Sequence, residues 1–367
     1  VKKSDTEENI DGIDYFWIKT PSYKGNSAKR FLNMLLFVDK LSHKAAYLAK
    51  TFKPDFVIAS STYPLDIFPA KRIARKSKAK LIFEIHDLWP LSPMELGGYS
   101  KYHPFIKIMQ IAENAAYKYS DKVISILPKT LEHTFSHGLD RNKWSHIPNG
   151  IELSEWENSE KIPDDLRIFI NSKIENSDFT VAYAGTVGLA NALDSFIEAA
   201  KIMVNDKISF FIIGKGPEKD RLLKRRVDEN IDNVHFINPI PKTTIPDLLK
   251  YFDVLYIGWK NNPLYRFGIS PNKIFDYMMS GKPVIHSVKA GNDLIKEAGC
   301  GISIEPENSN EIVNAINLLK AKSKDELKNI GEKGKKFVLK NHTYNVLAEN
   351  FLNICNDLIL NETKTKI

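Results

Sequence analysis

Short, uninterrupted apolar runs recur along this chain, each followed by a segment with apolar residues at helical spacing. FVIA (Phe56 to Ala59), KLIFEI (Lys80 to Ile85) and Lys122 to Ile126 punctuate the first part. Thr180 to Tyr183, Ile208 to Ile213, Val234 to Ile237, Val254 to Ile257, Pro283 to His286 and Gly301 to Ile304 punctuate the second. A strand that is apolar on both faces belongs in a sheet covered on both faces, and the intervening helices supply the cover. The pattern therefore predicts an α/β protein with parallel, doubly wound sheets. A polar, charged stretch over 154–178 has no strand-like run and separates the two series. With 367 residues the chain is long for one domain. Two are predicted, 1–153 and 154–342, with 343–367 forming a C-terminal helix that packs back on the first.

Residues 1–12 are charged and are expected to be mobile. Ile13 to Ile18 reads as a strand, and Thr20 to Asn26, which includes Lys24 and Gly25, as a loop. Ser27 to Phe52 carries Phe31, Met34, Leu35, Val38, Leu41, Ala45 and Leu48 at helical spacing, with Lys29, Arg30, Lys40, Lys44 and Lys50 between them. A basic amphipathic helix of this kind either packs on a core with one solvated face or rests on anionic lipid. The narrow apolar face favours the first reading. Trp144 to Ile147 reads as the last strand of the first domain, closed by Pro148-Asn149-Gly150.

Charge narrows the function classes. The net charge is +7, but the basic residues are dispersed and carry no DNA- or RNA-binding signature. The charge fits anionic substrates, an anionic membrane surface or only a lysine-rich proteome, and disfavours nucleic acid. Cys300 and Cys355 lie far apart without metal-ligand spacing, which predicts free thiols in a reducing cytoplasm. No run approaches the roughly 18 apolar residues of a membrane span.

The richest stretch runs from Gly258 to Ile285 (GWKNNPLYRFGISPNKIFDYMMSGKPVI). An apolar strand precedes it. A loop follows with Arg266, Gly268, Ile269 and Ser270-Pro271, then a helix from about Asn272 to Met279. A loop feeding a helix N-terminus presents unpaired N–H groups and a partial positive charge, and so suits an anion. Lys273, in the first turn, adds a full charge where the dipole alone does not favour one. Asp276, one turn on, falls within reach on the same face. The arrangement reads as a phosphate site with a ribose beside it, or as a surface loop before an ordinary helix with a solvated Lys–Asp pair. Two glycine turns follow strands elsewhere, Ala184-Gly185-Thr186-Val187-Gly188 and Ile213-Gly214-Lys215-Gly216. Neither forms GxGxxG or a Walker lysine pattern, which disfavours dinucleotide enzymes and P-loop ATPases. No HExxH, clustered His/Cys set or GxSxG occurs.

HDLWP at His86 to Pro90, IPNG at Ile147 to Gly150, YAGTVG at Tyr183 to Gly188, IIGKGPEK at Ile212 to Lys219, and SPNKIFDYMMSGKPVI at Ser270 to Ile285 come in a specific order and spacing. Together they resemble the retaining glycosyltransferases of family 4, and most nearly the bacterial members that build capsule, O-antigen and lipid-linked glycans. The resemblance spans essentially the whole chain. It implies the GT-B fold, two Rossmann-like domains facing across a cleft. It also implies that a first βα segment, with a glycine-rich acceptor loop, is missing ahead of Val1. The implied reaction moves a hexosyl or N-acetylhexosaminyl group from a nucleotide-diphosphate sugar, UDP favoured, to a hydroxyl of a glycan or polyprenyl-diphosphate-linked acceptor, with retention. No cofactor and no metal are implied. The implied location is cytoplasmic, with peripheral contact on the inner face of the plasma membrane.

Carried over residue by residue, the family's E-x7-E element falls on Gly268 and Asp276, so the ribose-binding acid is kept and the sugar-contacting acid is not. The family's pyrophosphate-binding Arg and Lys fall on Thr186 and Asn191, and Arg266 and Lys273 are the nearest replacements. The sugar-contacting histidine matches His86. Donor binding is thereby placed on Gly185, Thr186, Gly188, Gly214, Lys215, Gly268, Ile269, Ser270 and Asp276. Catalysis is placed on His86, Arg266 and Lys273, and the acceptor side on Asp87 and Trp89. Asp87 either orients His86 or caps the following turn. Two alternatives stand beside this reading. One is a UDP-sugar 2-epimerase on the same fold. The other is a GT-B partner subunit without activity, which the missing acid and missing Arg/Lys pair would suit.

Overall fold

The computed structural model describes residues 5–23 and 28–365, so Ser27 and the Lys24 to Asn26 part of the first loop lie outside the described residues. The chain divides into two compact units, Val1–Ile147 with Ile354–Ile367, and Pro148–Asn353.

The first unit opens with a hairpin. Strand β1 (Thr6–Ile10) pairs antiparallel with β2 (Ile13–Trp17) through a turn at Asp11 and Gly12, whose φ values are 51° and 82°. Two successive positive φ angles make the type I′ turn that suits the twist of a hairpin. The charged segment expected to be mobile is thus partly a strand. Glu8 accepts from the Trp17 indole at 2.9 Å and Glu7 from the Tyr47 hydroxyl at 2.9 Å, so its acidic side chains tie it down. A four-stranded parallel sheet follows, with β3 (Phe56–Ala59), β4 (Lys80–Ile85), β5 (Lys122–Ser125) and β6 (Trp144–His146) in chain order. The basic helix Ala28–Phe52 buries Met34, Ala45 and Ala49, and leaves Leu32 and Tyr47 exposed.

The second unit holds six parallel strands: β7 (Phe179–Ala184), β8 (Ile208–Ile213), β9 (Val234–Ile237), β10 (Val254–Gly258), β11 (Val284–Ser287) and β12 (Gly301–Ile304). Their order is β12-β11-β10-β7-β8-β9. That is the doubly wound order, with its switch point between β7 and β10. Side chains alternate strictly between two cores. Ala182, Phe211 and Leu255 join one, and Val181, Phe210 and Val254 join the other. Burial on both faces is why these strands read as continuous apolar runs. Cys300 and Cys355 are both free and buried.

The stretch 154–178 is not a linker. It forms helices Leu153–Glu157 and Asp164–Ile174 and counts with the second unit. The division falls between Ile147 and Pro148, ahead of the 153/154 boundary expected from composition. The hydrogen bonds explain the shift. Asn149 donates its backbone N–H to Ser270 Oγ at 2.9 Å and its side-chain amide to Ser270 O at 2.6 Å. The Ile151 N–H donates to His342 O at 2.9 Å, and the Glu160 N–H to Thr243 O at 3.0 Å. The last helix, Tyr344–Thr365, starts in the second unit, and its residues from Ile354 count with the first. No helix among the described residues is long and apolar enough to cross a membrane.

Candidate functional site

In open α/β sheets ligands sit outside the carboxyl ends of the strands at the switch point. In the second unit that place is the end of β7 and β10, where Gly185 and Trp259 continue the chain. The two glycine turns after β7 and β8 are pressed together. The Gly185 N–H donates to Ile213 O and the Val187 N–H to Lys215 O, both at 2.9 Å. A Cβ on Gly214 would stand 1.9 Å from Gly185 O, so only glycine fits there. Thr186 and Lys215 are exposed on these turns, and Gly188 is half-buried beside them.

Lys273 lies beneath this pair of turns. It leaves the first turn of helix Asn272–Met279, and its Nζ comes within 3.3 Å of where a Gly185 Cβ would be. Its Nζ donates to Tyr183 Oη at 3.0 Å and to Asn191 Oδ1 at 2.8 Å. The Tyr183 hydroxyl donates to Thr186 O at 2.6 Å and the Asn191 amide to the same oxygen at 2.9 Å. The four groups close a ring that fixes the ammonium. Burial lowers the Lys273 pKa to about 8. Among the described residues no carboxylate lies within salt-bridge distance of it. A buried cation without a counter-ion is unfavourable unless an anion joins it.

Asp276 does not pair with Lys273, contrary to the same-face expectation. Burial raises its carboxyl pKa to about 6, opposed by Lys242 and by a hydrogen bond from Trp156, with Glu155 adding to the rise. Lys242 is itself engaged by Glu155 at 2.5 Å. The two charged side chains of one helix thus serve different surroundings.

The loop before this helix is clamped. Asn292 accepts from the Ile269 N–H at 2.7 Å and donates to Ile269 O at 3.0 Å. Ser270 is held by Asn149 as described above. Gly268 has φ 97°, and its N–H reaches Tyr265 O at 2.9 Å. Arg266 is exposed on the preceding turn, where it donates to Pro263 O at 2.6 Å and lies over the Phe267 ring at 4.4 Å. It is turned onto its own loop, unlike Lys273. Tyr277 adds a further brace that the sequence did not reveal. Its hydroxyl accepts from the Ala184 N–H at 2.6 Å and donates to Ala184 O at 2.9 Å, pinning the end of β7.

In the first unit, His86 leaves β4 beside a polar cluster. Its Nε2 lies 2.8 Å from Ser60 Oγ and 3.3 Å from Glu84 Oε2, and Ser60 Oγ donates to Glu84 Oε2 at 2.6 Å. The Glu84 carboxylate raises the His86 pKa against the opposing effect of burial, and Asp66 adds to the rise. Asp66 is 5% exposed, and burial lifts its own pKa to about 6. Glu84→Gln is therefore expected to lower the His86 titration midpoint, because the neutral amide no longer favours the imidazolium. An NMR titration of the His86 ring checks this, and an unchanged or higher midpoint contradicts it. Asp87 takes the capping role: it accepts from the Leu88 N–H at 2.9 Å and from the Trp89 indole at 3.1 Å. Trp89 packs edge-on to Phe105 at 5.9 Å with Arg30 above it at 5.5 Å.

Comparison with known proteins agrees with this architecture. Residues 4–155 match the family described as Glycosyltransferase Family 4, and residues 164–337 match Glycosyl transferases group 1. A glycosyl transferase of Escherichia coli (strain K12) named for colanic acid biosynthesis, WcaI, is 22% identical over 275 residues, 73% of this chain and 66% of the relative's length. WbjE of Pseudomonas aeruginosa, named as a glycosyltransferase, is 21% identical over 317 residues, 84% of this chain and 76% of that one. Among solved structures, HepE of Anabaena in complex with UDP-glucose superposes with a TM-score of 0.65 at 15% identity, covering 90% of this chain and 84% of its own.

Proposed function

From the premise that this chain is a GT-B protein of the family 4-like glycosyltransferases, we propose that it transfers a hexosyl or N-acetylhexosaminyl group from a nucleotide-diphosphate sugar to a hydroxyl of a glycan or lipid-linked acceptor in polysaccharide biosynthesis, with retention. UDP is the favoured carrier. The observation that carries this reading is the Lys273 ammonium, fixed by Tyr183 and Asn191 under the glycine turn at the switch point. Thr186 and Asn191 stand where the resemblance puts the pyrophosphate-binding Arg and Lys. The charge missing from that segment is restored from helix Asn272–Met279.

As the bond from sugar to diphosphate breaks, negative charge grows on the departing phosphate. A fixed cation and the N–H groups of glycine turns and a helix N-terminus stabilise it. Lys273, the Thr186 and Lys215 N–H groups that follow the engaged Gly185 and Gly214, and the N-terminus of helix Asn272–Met279 fill that role, and Arg266 joins by leaving Pro263 O and swinging toward the donor. The Ile269-Ser270 backbone and Asp276 hold the nucleoside, Asp276 on the ribose hydroxyls. The departing phosphate accepts the acceptor's proton, and His86 contacts the transferred sugar. No metal ion or cofactor takes part, so leaving out magnesium is expected not to change the rate.

The test is a thermal-shift screen of UDP-, GDP- and dTDP-sugars, then transfer of the binding sugar to a polyprenyl-diphosphate glycan, with the product anomer read by NMR. Transfer with retention supports the reading. Conversion of donor to its 2-epimer would assign the chain to the epimerases. Donor binding without turnover would make it a partner subunit, as the absent acid at Gly268 would favour. The basic helix Ala28–Phe52, with Leu32 50% and Phe52 45% exposed, is proposed to meet anionic lipid near the acceptor. Co-sedimentation with anionic but not neutral vesicles, lost at high salt, is expected; equal binding to both contradicts it.

A further inference from the structure

One group of three metal-ligating side chains occurs among the described residues: Glu113, His133 and His137, in the first unit, with their ligand atoms all within 4.8 Å of one another. We propose that these residues bind a zinc ion that fastens the segment after β5 to helix Pro104–Tyr119. The inference does not depend on the transfer reaction.

The residues come from two elements. Glu113 lies in helix Pro104–Tyr119, and His133 in the short helix Leu131–Ser136. His137 follows four residues after His133, and helical spacing puts the two imidazoles on one face. Their ring centroids are 4.4 Å apart. Glu113 is 2% exposed. Its Oε1 accepts from Tyr117 Oη and lies beside His133 Nε2, both at 2.9 Å, and its Oε2 accepts from the Gln110 amide at 2.6 Å. Among the described residues this buried carboxylate meets a phenol, an amide and an imidazole, and no lysine or arginine. The ring nitrogens supply the second argument. His137 Nδ1 lies 2.8 Å from His133 O, and a carbonyl oxygen only accepts. The proton of a neutral His137 ring is therefore on Nδ1, and Nε2 carries the lone pair. Backbone control of the far nitrogen is how proteins orient and set the tautomer of metal-ligating histidines.

Two imidazoles and one carboxylate suit zinc, with bonds of about 2.0–2.2 Å and a fourth position left to water. Tetrahedral bonds of that length put ligand atoms about 3.3 Å apart, so the three groups close by side-chain rotation of roughly an ångström. The metal takes the His133 Nε2 lone pair, and the proton that Nε2 shares with Glu113 passes through solvent to Nδ1, so the ring stays a neutral ligand. Magnesium and calcium prefer all-oxygen sites and are not expected to bind here.

The experiment titrates zinc chloride into the full chain freed of metal by chelator, followed by calorimetry, with the unfolding temperature read alongside. One equivalent binding at micromolar or tighter affinity and a rise of several degrees in Tm are expected. His137→Ala, a half-buried site whose folding circular dichroism can confirm, is expected to weaken zinc at least 10-fold. Cobalt in place of zinc is expected to show the intense visible bands of tetrahedral coordination in the parent and to lose them in His137→Ala. No saturable binding, parent-like affinity in both His137→Ala and His133→Ala, or an equal Tm rise with magnesium would each overturn the site.

Discussion

Lys273→Ala is expected to lower the single-turnover rate at saturating donor on the order of 10²-fold or more, the loss that follows removal of one fixed electrostatic stabiliser. The size follows from the side chain's setting. Its side chain is half-buried, held by Tyr183 and Asn191, and faces no carboxylate among the described residues. A charge already fixed in place needs no reorganisation as the departing phosphate gains charge, so its effect is larger in the transition state than in the ground state. The lowered pKa, about 8, adds a signature. Donor binding requires the ammonium, so affinity falls as pH rises through about 8, and Lys273→Ala flattens that limb. Arg266→Ala separates two modes of action. If Arg266 swings inward, its loss also costs on the order of 10²-fold; if it stays on Pro263 O and Phe267, the change remains within about 0.5 kcal/mol. Parent-like single-turnover rates in Lys273→Ala would show that the phosphate charge is met elsewhere.

Asp276→Asn is expected to stabilise the chain at neutral pH while weakening the nucleotide. Burial raises the Asp276 pKa from 3.8 to about 6, so the folded protein holds a proton that the unfolded chain has lost across that window. Stability then falls as pH rises from about 4 to about 6, and above that the full cost of burying the carboxylate is in place. That rise from 3.8 to about 6 corresponds to about 2–3 kcal/mol. Asparagine never ionises. The variant is expected to melt several degrees higher at pH 7.5 and to show no such advantage at pH 4. The same exchange removes the anionic acceptor proposed for the ribose hydroxyls, and nucleotide binding is expected to weaken by about 1–3 kcal/mol. Differential scanning calorimetry at the two pH values, with nucleotide titration of each protein, checks both signs. A lower Tm at pH 7.5 would show that Trp156 and Lys242 satisfy the carboxylate fully.

The contrast between residues explains what the sequence could carry. Strands β7, β8 and β10 are buried throughout, and burial on both faces leaves an unbroken apolar run that any reader of the chain sees. Strand β1 is TEENI and nearly all exposed, so its pairing rests on cross-strand polar contacts with no apolar trace. The Asp11-Gly12 dipeptide was its one available signal. Lys273 is legible in the sequence because a lysine in the first turn of a helix is electrostatically odd. Its partners did not, since Tyr183 and Asn191 lie 90 and 82 residues away in sequence. Asp87 stands next to His86 in sequence, yet adjacent residues point apart, and it caps its own turn. Glu84, two positions before His86, is where the alternation of an extended chain puts a same-side neighbour, and that spacing could have found it.

Calorimetric titration of UDP, GDP and dTDP into the parent and into Lys273→Ala tests the central claim most directly, that the second unit binds a nucleotide diphosphate at the β7–β10 switch point with Lys273 as its cation. The account predicts saturable binding of one of the three to the parent, weaker above about pH 8, and at least 10-fold weaker in the variant. Binding of none of them, or equal affinity in parent and variant, would contradict it.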